Sequence, residues 1–152
     1  MSAFKFINLA IVAIYAIGSG LWVNTGDNWY RNLNAPNWQP PDWVFGLIWP
    51  YNFTVLAIIG WSISNKLNLK LNLTWTIIFS TSVICALTWA YQFYIPHHLK
   101  FAAISLICVA LLTLPLVFLA FKTSLILGFA LIPYQVWVAL ASGLSYNYYK
   151  LN

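Results

Sequence analysis

The sequence has very little charge of either sign. Only 6% of its 152 residues are charged, and the two acidic residues are both aspartate. A soluble domain normally carries about a quarter charged residues, so this chain could not cover its own surface with polar groups. Because 62% of the residues are hydrophobic and 18% are aromatic, intrinsic disorder is excluded as well. The remaining class is an integral membrane protein.

The sequence also lacks clusters of basic or metal-ligating residues. Its seven basic residues are scattered singly, whereas binding to nucleic acid requires several on one face, so we expect no nucleic-acid partner. Cys85 and Cys108 lie within apolar runs without the spacing of metal ligands. His97 and His98 are adjacent and have no cysteine or carboxylate nearby, so we expect no metal site.

What the sequence has instead is a series of apolar runs, each about long enough to cross a bilayer. The five runs cover residues 4–23, 43–64, 73–95, 99–121 and 125–149. Because they are continuously apolar and do not alternate, a spanning β-barrel is excluded. The sequence therefore predicts an all-α membrane bundle of five helices, which forms a single domain over residues 1–152.

One long loop, residues 24–42, joins the first and second runs. It contains Trp29, Trp38 and three prolines, and Trp43 follows it directly. This composition favours an ordered cover over one end of the bundle, because long loops in compact bundles are usually functional or disordered. A belt of aromatic side chains at the headgroup level would have the same composition, so both interpretations remain open at this point.

Aromatic residues recur at helical spacing in the second run. Trp49, Asn52 and Phe53 are at i, i+3 and i+4 and therefore share one side of the helix. Pro50 beside them predicts a kink that frees a backbone carbonyl, which a neighbouring group or a ligand must satisfy.

Similar stripes occur in the third and fifth runs. Trp137, Ala141 and Ser145 recur at i, i+4 and i+8, which places an indole above two small residues, with Tyr134 one turn earlier. The third run contributes four residues near the same end: Thr88, Trp89, Gln92 and Phe93. Ordinary helix packing produces such stripes too, so spacing alone does not distinguish a pocket from a core.

Two short elements carry a family resemblance. The first is Trp38-Gln39-Pro40-Pro41, followed by Asp42 and Trp43, and the second is Pro133-Tyr134 with Trp137 three residues later. On five spans and at this spacing, they closely resemble the TspO/MBR family of tryptophan-rich sensory proteins and translocator proteins (peripheral-type benzodiazepine receptors). The resemblance covers the whole chain and is that of a bacterial or cyanobacterial-type member, which implies a multi-pass protein of the bacterial cell membrane.

The resemblance implies a ligand pocket under the first loop, with no required cofactor. The expected ligand is a porphyrin such as protoporphyrin IX or haem, a related tetrapyrrole or a sterol-like lipid. By position, Tyr30, Trp38 and Pro40 resemble a lid over this pocket. The complete set of expected ligand-binding residues is Tyr30, Trp38, Pro40, Trp49, Asn52, Phe53, Thr88, Trp89, Gln92, Tyr134, Trp137, Ala141 and Ser145.

Three functions are compatible with such a pocket. We favour a receptor or sensor that binds tetrapyrroles and is linked to tetrapyrrole homeostasis or stress. The alternatives are a light- and oxygen-dependent enzyme that degrades porphyrin, with Trp49 and Trp137 as its reacting side chains, and a carrier of porphyrin or sterol-like lipids. Hydrolytic or acid–base catalysis is not expected, because no Asp, Glu, Lys or Arg lies well inside a predicted span.

Small residues at helical spacing predict a homodimer, because they let helices approach closely in lipid. Ser82, Ala86 and Ala90 form such a stripe on the third span, and Ala16 and Gly20 form a shorter one on the first. The same stripes could serve packing within one chain.

Overall fold

The computed structural model describes residues 2–23, 25 and 27–152, and the regular structure in this part of the chain is helical throughout. The helices are α1 (Ser2–Trp22), α2 (Asn28–Arg31), α3 (Asp42–Lys66), α4 (Leu69–Tyr94), α5 (Leu99–Thr123) and α6 (Leu125–Leu151). All except the short α2 are long and apolar enough to cross a membrane. The predicted all-α bundle of five spanning helices is confirmed. Residues 24 and 26 of the predicted loop lie outside the described residues.

The largest difference from the predicted bounds is at the start of α4. This helix begins at Leu69, four residues before the predicted start at residue 73. Its N-cap is Asn68, whose side-chain oxygen accepts a hydrogen bond from the Leu71 N–H at 3.0 Å. The polar residues between the second and third predicted runs therefore include the first turn of a helix, because asparagine at the N-cap satisfies a free N–H group. The other ends differ by two residues or fewer.

The five spanning helices form one closed bundle. Helix α5 packs between α4 and α6, α1 packs against α3 and α4, and α3 packs against α6. The largest fully buried side chains include Ile59 and Ile63 of α3, Trp75 and Phe79 of α4, and Leu116 of α5. These residues lie in the half of the bundle away from the first loop. We call that end the far end and the other the loop end.

A buried asparagine joins three helices at the far end. The Asn8 side chain of α1 donates hydrogen bonds to the Gly60 carbonyl and the Ser64 hydroxyl of α3, both at 3.3 Å. Its oxygen accepts a hydrogen bond from the Thr76 hydroxyl of α4 at 3.2 Å. A Cβ atom added at Gly60 would lie 2.9 Å from the Asn8 Cβ. The glycine therefore permits the close approach of α1 and α3 that closes the far end.

The expected dimer stripe on α4 packs inside the chain. Ser82, Ala86 and Ala90 are all buried within the bundle. A surface that neighbouring helices already cover is not available to a second copy, so this corrects the expected interface. The small side chains instead let the helices of one chain approach closely. The homodimer itself stays a prediction.

Candidate ligand-binding site

A cavity of about 470 Å³ lies beneath the first loop at the loop end of the bundle. Helices α1, α3, α4 and α6 supply its wall together with the loop, whereas α5 contributes no described residue to it. Small-molecule sites are typically clefts of about 300–1,000 Å³ with mostly apolar walls and a few polar groups. The position and size of the cavity make it the candidate site.

Helix α3 contributes a stacked aromatic pair to the cavity wall. The rings of Trp49 and Phe53 lie 5.7 Å apart with an interplanar angle of 25°. Buried Tyr15 of α1 supports both rings from behind, with edge contacts at 6.1 Å to Trp49 and 5.2 Å to Phe53. Packing of this kind holds the two rings in one orientation, so they form a flat and rigid surface.

Helix α6 lines the cavity with the stripe that its spacing predicted. Trp137, Ala141 and Ser145 all lie on the wall. The edge of the Phe45 ring contacts the Trp137 ring at 5.0 Å. The Trp89 indole N–H of α4 donates to the Ser145 hydroxyl at 3.2 Å, which connects the two helices across the cavity.

Two glycines leave part of the wall open. A Cβ atom added at Gly20 of α1 or at Gly46 of α3 would meet nothing within 4 Å, and both residues line the cavity. Pro50 has no N–H group, so it cannot donate to the Gly46 carbonyl as a residue four positions later normally does. The carbonyl that Pro50 was expected to free therefore belongs to a residue on the cavity wall.

The described part of the first loop covers the cavity, and its short helix α2 is capped at its amino end and packed against the α4–α5 connection. The Asp27 carboxylate caps α2 by accepting a hydrogen bond from the Tyr30 N–H at 2.8 Å, and Tyr30 lines the cavity. Trp29 stacks on His97 of the α4–α5 connection, with the ring centres 3.6 Å apart and the planes 10° from parallel. Of the two interpretations of this loop, the structure therefore supports the cover.

The rest of the loop is attached to the end of α6. Tyr148 donates a hydrogen bond from its hydroxyl to the Gln39 side-chain oxygen. Asn34 and Asn152 bond each other in both directions: the Asn34 N–H donates to the Asn152 side chain at 2.8 Å, and the Asn152 amide donates back at 3.2 Å. The carboxyl-terminal turn of α6 thus holds the cover in position over the cavity.

The structure brings seven of the thirteen expected residues together on the cavity wall. They are Tyr30, Trp49, Phe53, Trp89, Trp137, Ala141 and Ser145. Trp38 and Pro40 of the loop do not reach the wall. The Trp38 ring instead packs against α6, where a Cβ atom added at Gly143 would lie 3.4 Å from the ring. These two residues belong to the outer layer of the cover.

Two expected residues of α4 also lie outside the wall. The Thr88 hydroxyl donates to the Ile84 carbonyl of its own helix at 2.8 Å. The Gln92 side-chain oxygen lies 3.1 Å from Nδ1 of His98. Around the axis of α4, Thr88 and Gln92 lie about 100° and about 60° to one side of Trp89, whereas Phe93 and Tyr94 lie to its other side. The cavity is on the side of Phe93 and Tyr94, which both line its wall.

Asn52 and Tyr134 are buried in the bundle without reaching the cavity wall. Asn52 lies three residues after Trp49 and Phe53 lies four after it, so the two flank Trp49 on opposite sides of α3. Only the Phe53 side faces the cavity. Tyr134 lies one turn deeper in the bundle than Trp137. The i, i+3, i+4 pattern identified the correct stretch of helix but not which flank faces the cavity.

Thirteen further wall residues were not in the expected set: Ala16, Ser19, Gly20, Val23, Thr25, Gln39, Asp42, Phe45, Gly46, Phe93, Tyr94, Leu144 and Tyr148. Extending the aromatic stripe of the second run by four residues would have found Phe45 before Trp49. Phe93 was identified beside Trp89 in the third run but was not included in the expected set. The contribution of α1 has no aromatic signal. Its small residues Ala16 and Gly20, which we interpreted as a dimer contact, form part of the cavity wall.

The wall consists mainly of aromatic, small and hydroxyl-bearing side chains. Among its described residues, Asp42 is the only charged side chain, and none is a lysine, arginine, histidine or cysteine. No group of three His, Cys, Asp or Glu residues that could hold a metal ion occurs in the described part of the chain. The cavity therefore offers flat aromatic surfaces and hydroxyl groups to a ligand.

Comparison with known proteins agrees with this architecture. The TspO/MBR family model matches residues 6–150. The chain is 31% identical over 124 residues to tryptophan-rich protein TspO of Bacillus cereus, covering 82% of this chain and 80% of that protein. It is 23% identical over 156 residues to protein CrtK of Rhodobacter capsulatus, covering 96% and 95%. It is 23% identical over 138 residues to the translocator protein of Homo sapiens, covering 90% and 82%.

The family match extends over nearly the whole chain and covers all or most of each of the five spanning helices. It also includes the loop and every residue of the cavity wall. The resemblance noted from the two sequence elements is thereby confirmed. The chain is a multi-pass bacterial membrane protein that belongs to the TspO/MBR family of membrane sensor and translocator proteins.

Proposed function

We propose that this protein binds a tetrapyrrole in the cavity beneath the first loop and acts as a membrane sensor of that ligand. The observation that carries the proposal is the shape of the cavity wall: a stacked Trp49–Phe53 pair on α3 and the Trp137 indole on α6. A flat aromatic macrocycle can stack on such surfaces, because offset and edge contacts between aromatic rings stabilise beyond simple burial of area.

The distribution of polar groups supports a ligand with one polar edge. Tyr30, Tyr94 and Tyr148 line the cavity beside the cover, and the apolar rings of Phe45 and Phe53 lie on α3. A porphyrin combines an apolar ring with polar substituents on one edge. We propose that the ring lies among the indoles and that the polar edge points toward the tyrosine hydroxyls and the cover.

The wall suits a metal-free macrocycle better than haem. The described wall residues include no histidine or cysteine, so the tyrosine hydroxyls and the Asp42 carboxylate would be the candidate ligands for a haem iron. A metal-free porphyrin needs no such ligand. We therefore take protoporphyrin IX as the first probe.

The name of one relative agrees with a sensing role, and the name of another agrees with carriage. One relative is a tryptophan-rich sensory protein of Cereibacter sphaeroides, which is 24% identical over 126 residues, and the human relative is a translocator protein. We favour sensing over carriage, because the cavity lies at one end of the bundle and the Asn8 contacts close α1 onto α3 and α4 at the other.

The test is a titration with protoporphyrin IX in the dark, followed by porphyrin absorbance and tryptophan fluorescence. Trp137→Ala removes a wall indole and should weaken binding at least about tenfold, since truncating a large buried anchor typically costs about 2 kcal/mol. Trp61→Ala is the matched control. Trp61 lies at the far end, where its ring contacts Phe6 and the Lys5 ammonium group lies 4.9 Å from its centre.

Equal affinity in wild type and both variants, each with intact helical content, would overturn the assignment of the cavity as the porphyrin site. Nine tryptophans contribute to the fluorescence, so the comparison of the two variants is decisive and the wild-type signal alone is not.

Light-driven degradation of porphyrin is the second candidate, because Trp49 and Trp137 both line the cavity and would contact a bound ring. Illumination of the complex in the presence of oxygen distinguishes the two. A binding protein leaves the porphyrin spectrum intact or bleached at the rate of free porphyrin. A degrading enzyme produces a defined product over several turnovers, and Trp49→Phe and Trp137→Phe lower that rate while retaining an aromatic ring.

A further inference from the structure

We propose that the cavity selects tetrapyrroles whose polar edge is neutral or cationic over those with two free carboxylates, and that Asp42 sets this preference. The inference rests on the proposed tetrapyrrole function and specifies the ligand class. It predicts that esterified or amine-bearing macrocycles bind more tightly than the corresponding diacid.

The first observation is the position of the acidic residues. The chain has only two, and both belong to the first loop or the residue that ends it. Asp42 begins α3, is exposed and lines the cavity. An exposed wall residue lies at the opening, where the polar edge of a ligand would be. Asp27 caps the helix that carries Tyr30, another wall residue.

The second observation is that no basic residue is among the described residues of the cavity wall. Four of the seven are at the far end of the bundle: Lys5, Lys66, Lys70 and Lys122. The Lys150 ammonium group lies 5.8 Å from the centre of the exposed Tyr146 ring. Arg31 and Lys100 are exposed, and neither is among the described wall residues. Two ligand carboxylates at the opening would therefore face a carboxylate without a cationic wall residue to pair with.

Backbone groups add to the negative potential of the wall. The Gly46 carbonyl, which Pro50 cannot bond, lies one turn after Asp42 on the same side of α3. Helices α1, α4 and α6 all end at the loop end, and each carboxyl end carries about half a negative charge. The amino ends of α3 and α5 also lie at the loop end, and each supplies about half a positive charge, so three carboxyl ends face two amino ends there. Of these two helices only α3 contributes to the wall, and the full negative charge of Asp42 lies at its amino end.

The test uses three forms of one macrocycle: protoporphyrin IX, its dimethyl ester and its bis(2-aminoethyl) diamide. Dissociation constants are measured in the dark for wild type and for Asp42→Asn, in an uncharged detergent at low salt. Because micelle partitioning differs among the three probes, the informative quantity is the ratio of the two proteins' affinities for each probe.

Asp42→Asn should raise the affinity for the diacid at least about threefold, lower that for the diamide by a similar factor and leave the ester within about twofold. Lys66→Gln, at the other end of the same helix, is the control and should leave all three ratios near one. In wild type, raising the salt concentration should reduce the difference between diacid and diamide, because the opening is exposed to solvent.

The proposal is overturned if Asp42→Asn changes all three affinities by the same factor, or if salt leaves the wild-type difference unchanged. Absence of binding by any of the three probes to wild type is a separate result, which refutes the tetrapyrrole function itself.

Discussion

The two ends of this bundle use the same helices in opposite ways. On α3, a Cβ atom added at Gly60 would lie 2.9 Å from Asn8, whereas one added at Gly46 would meet nothing within 4 Å. On α1, Asn8 at the far end is fully buried, whereas Gly20 at the loop end is exposed to the cavity. Helices α1 and α3 are therefore closely packed at the far end and leave room between them at the loop end.

The difference between the two ends shows that the same type of residue can have different structural roles in one membrane bundle. Tryptophan fills the core at Trp75 of the far end and forms the cavity wall at Trp49 of the loop end. Glycine permits close packing at Gly60 and leaves open space at Gly46. In lipid, where apolar burial does not distinguish helix–helix from helix–lipid contact, the fit of side chains between helices decides which role applies.

The largest effect is expected when Gly60 and Gly46 of α3 are separately replaced by leucine, which tests whether the two ends of the bundle are packed differently. Gly60→Leu forces a side chain into the Asn8 contact, and overpacking of this kind should destabilise the protein by about 3 kcal/mol. For a chain of this size that corresponds to a fall in Tm of about 6–12 °C in a detergent thermal melt. Gly46→Leu meets open space and should keep Tm within about 3 °C of wild type. An equal loss in both variants would contradict the different packing of the two ends.

At Gly46 we expect a large effect on ligand binding, although the effect on stability is small. Gly46→Leu places a side chain inside the cavity, so the affinity for protoporphyrin IX should fall at least about tenfold, measured by titration in the dark. Leu47→Ala is a matched control, because Leu47 is the next residue and is 67% exposed on the outside of α3. If Gly46→Leu bound as tightly as wild type, the ligand would not occupy this cavity.

Removal of the Asn8 side chain separates stability from binding. Asn8→Ala deletes three hydrogen bonds to α3 and α4. Such bonds within membranes average about 0.6 kcal/mol each, so the free energy of unfolding should fall by about 1–2 kcal/mol in a denaturation series. Porphyrin affinity should stay within about twofold, because the contact lies at the far end. Asn65→Ala, an exposed residue near the same end, should change neither quantity.

The smallest expected effect concerns the attachment of the cover. Tyr148→Phe removes the hydroxyl that donates to Gln39 and keeps the ring on the cavity wall. Loss of one hydrogen bond of about 0.5–1 kcal/mol should speed ligand release about two- to fivefold in stopped-flow dissociation. Tyr146→Phe alters an exposed tyrosine of the same turn and is the control. Equal release rates in both variants would mean that this bond does not hold the cover closed.

Much of the site could be predicted because helical spacing is a property of the chain alone. Trp137, Ala141 and Ser145 share one side of any α-helix, and the structure puts all three on the wall. Asn52 was expected on the same basis and is buried elsewhere, because the spacing does not say which flank of Trp49 meets a neighbouring helix. Asp42 has no such spacing signal, and the structure places it both at the start of α3 and on the wall.

The sequence by itself determined the membrane environment, the five spans and the long loop, since a chain with 6% charged residues and five bilayer-length apolar runs has few other stable arrangements. Only the tertiary structure decided where those helices touch and where they separate. In the sequence, Asn8 is only a polar residue within an apolar run. In the structure it joins three helices by hydrogen bonds, because Gly60 and Thr76 lie beside it. The cavity likewise exists because α1 and α3 are closely packed at Gly60 and leave open space at Gly20 and Gly46. The position of one membrane helix against another is set by the packing of side chains that are far apart in the sequence.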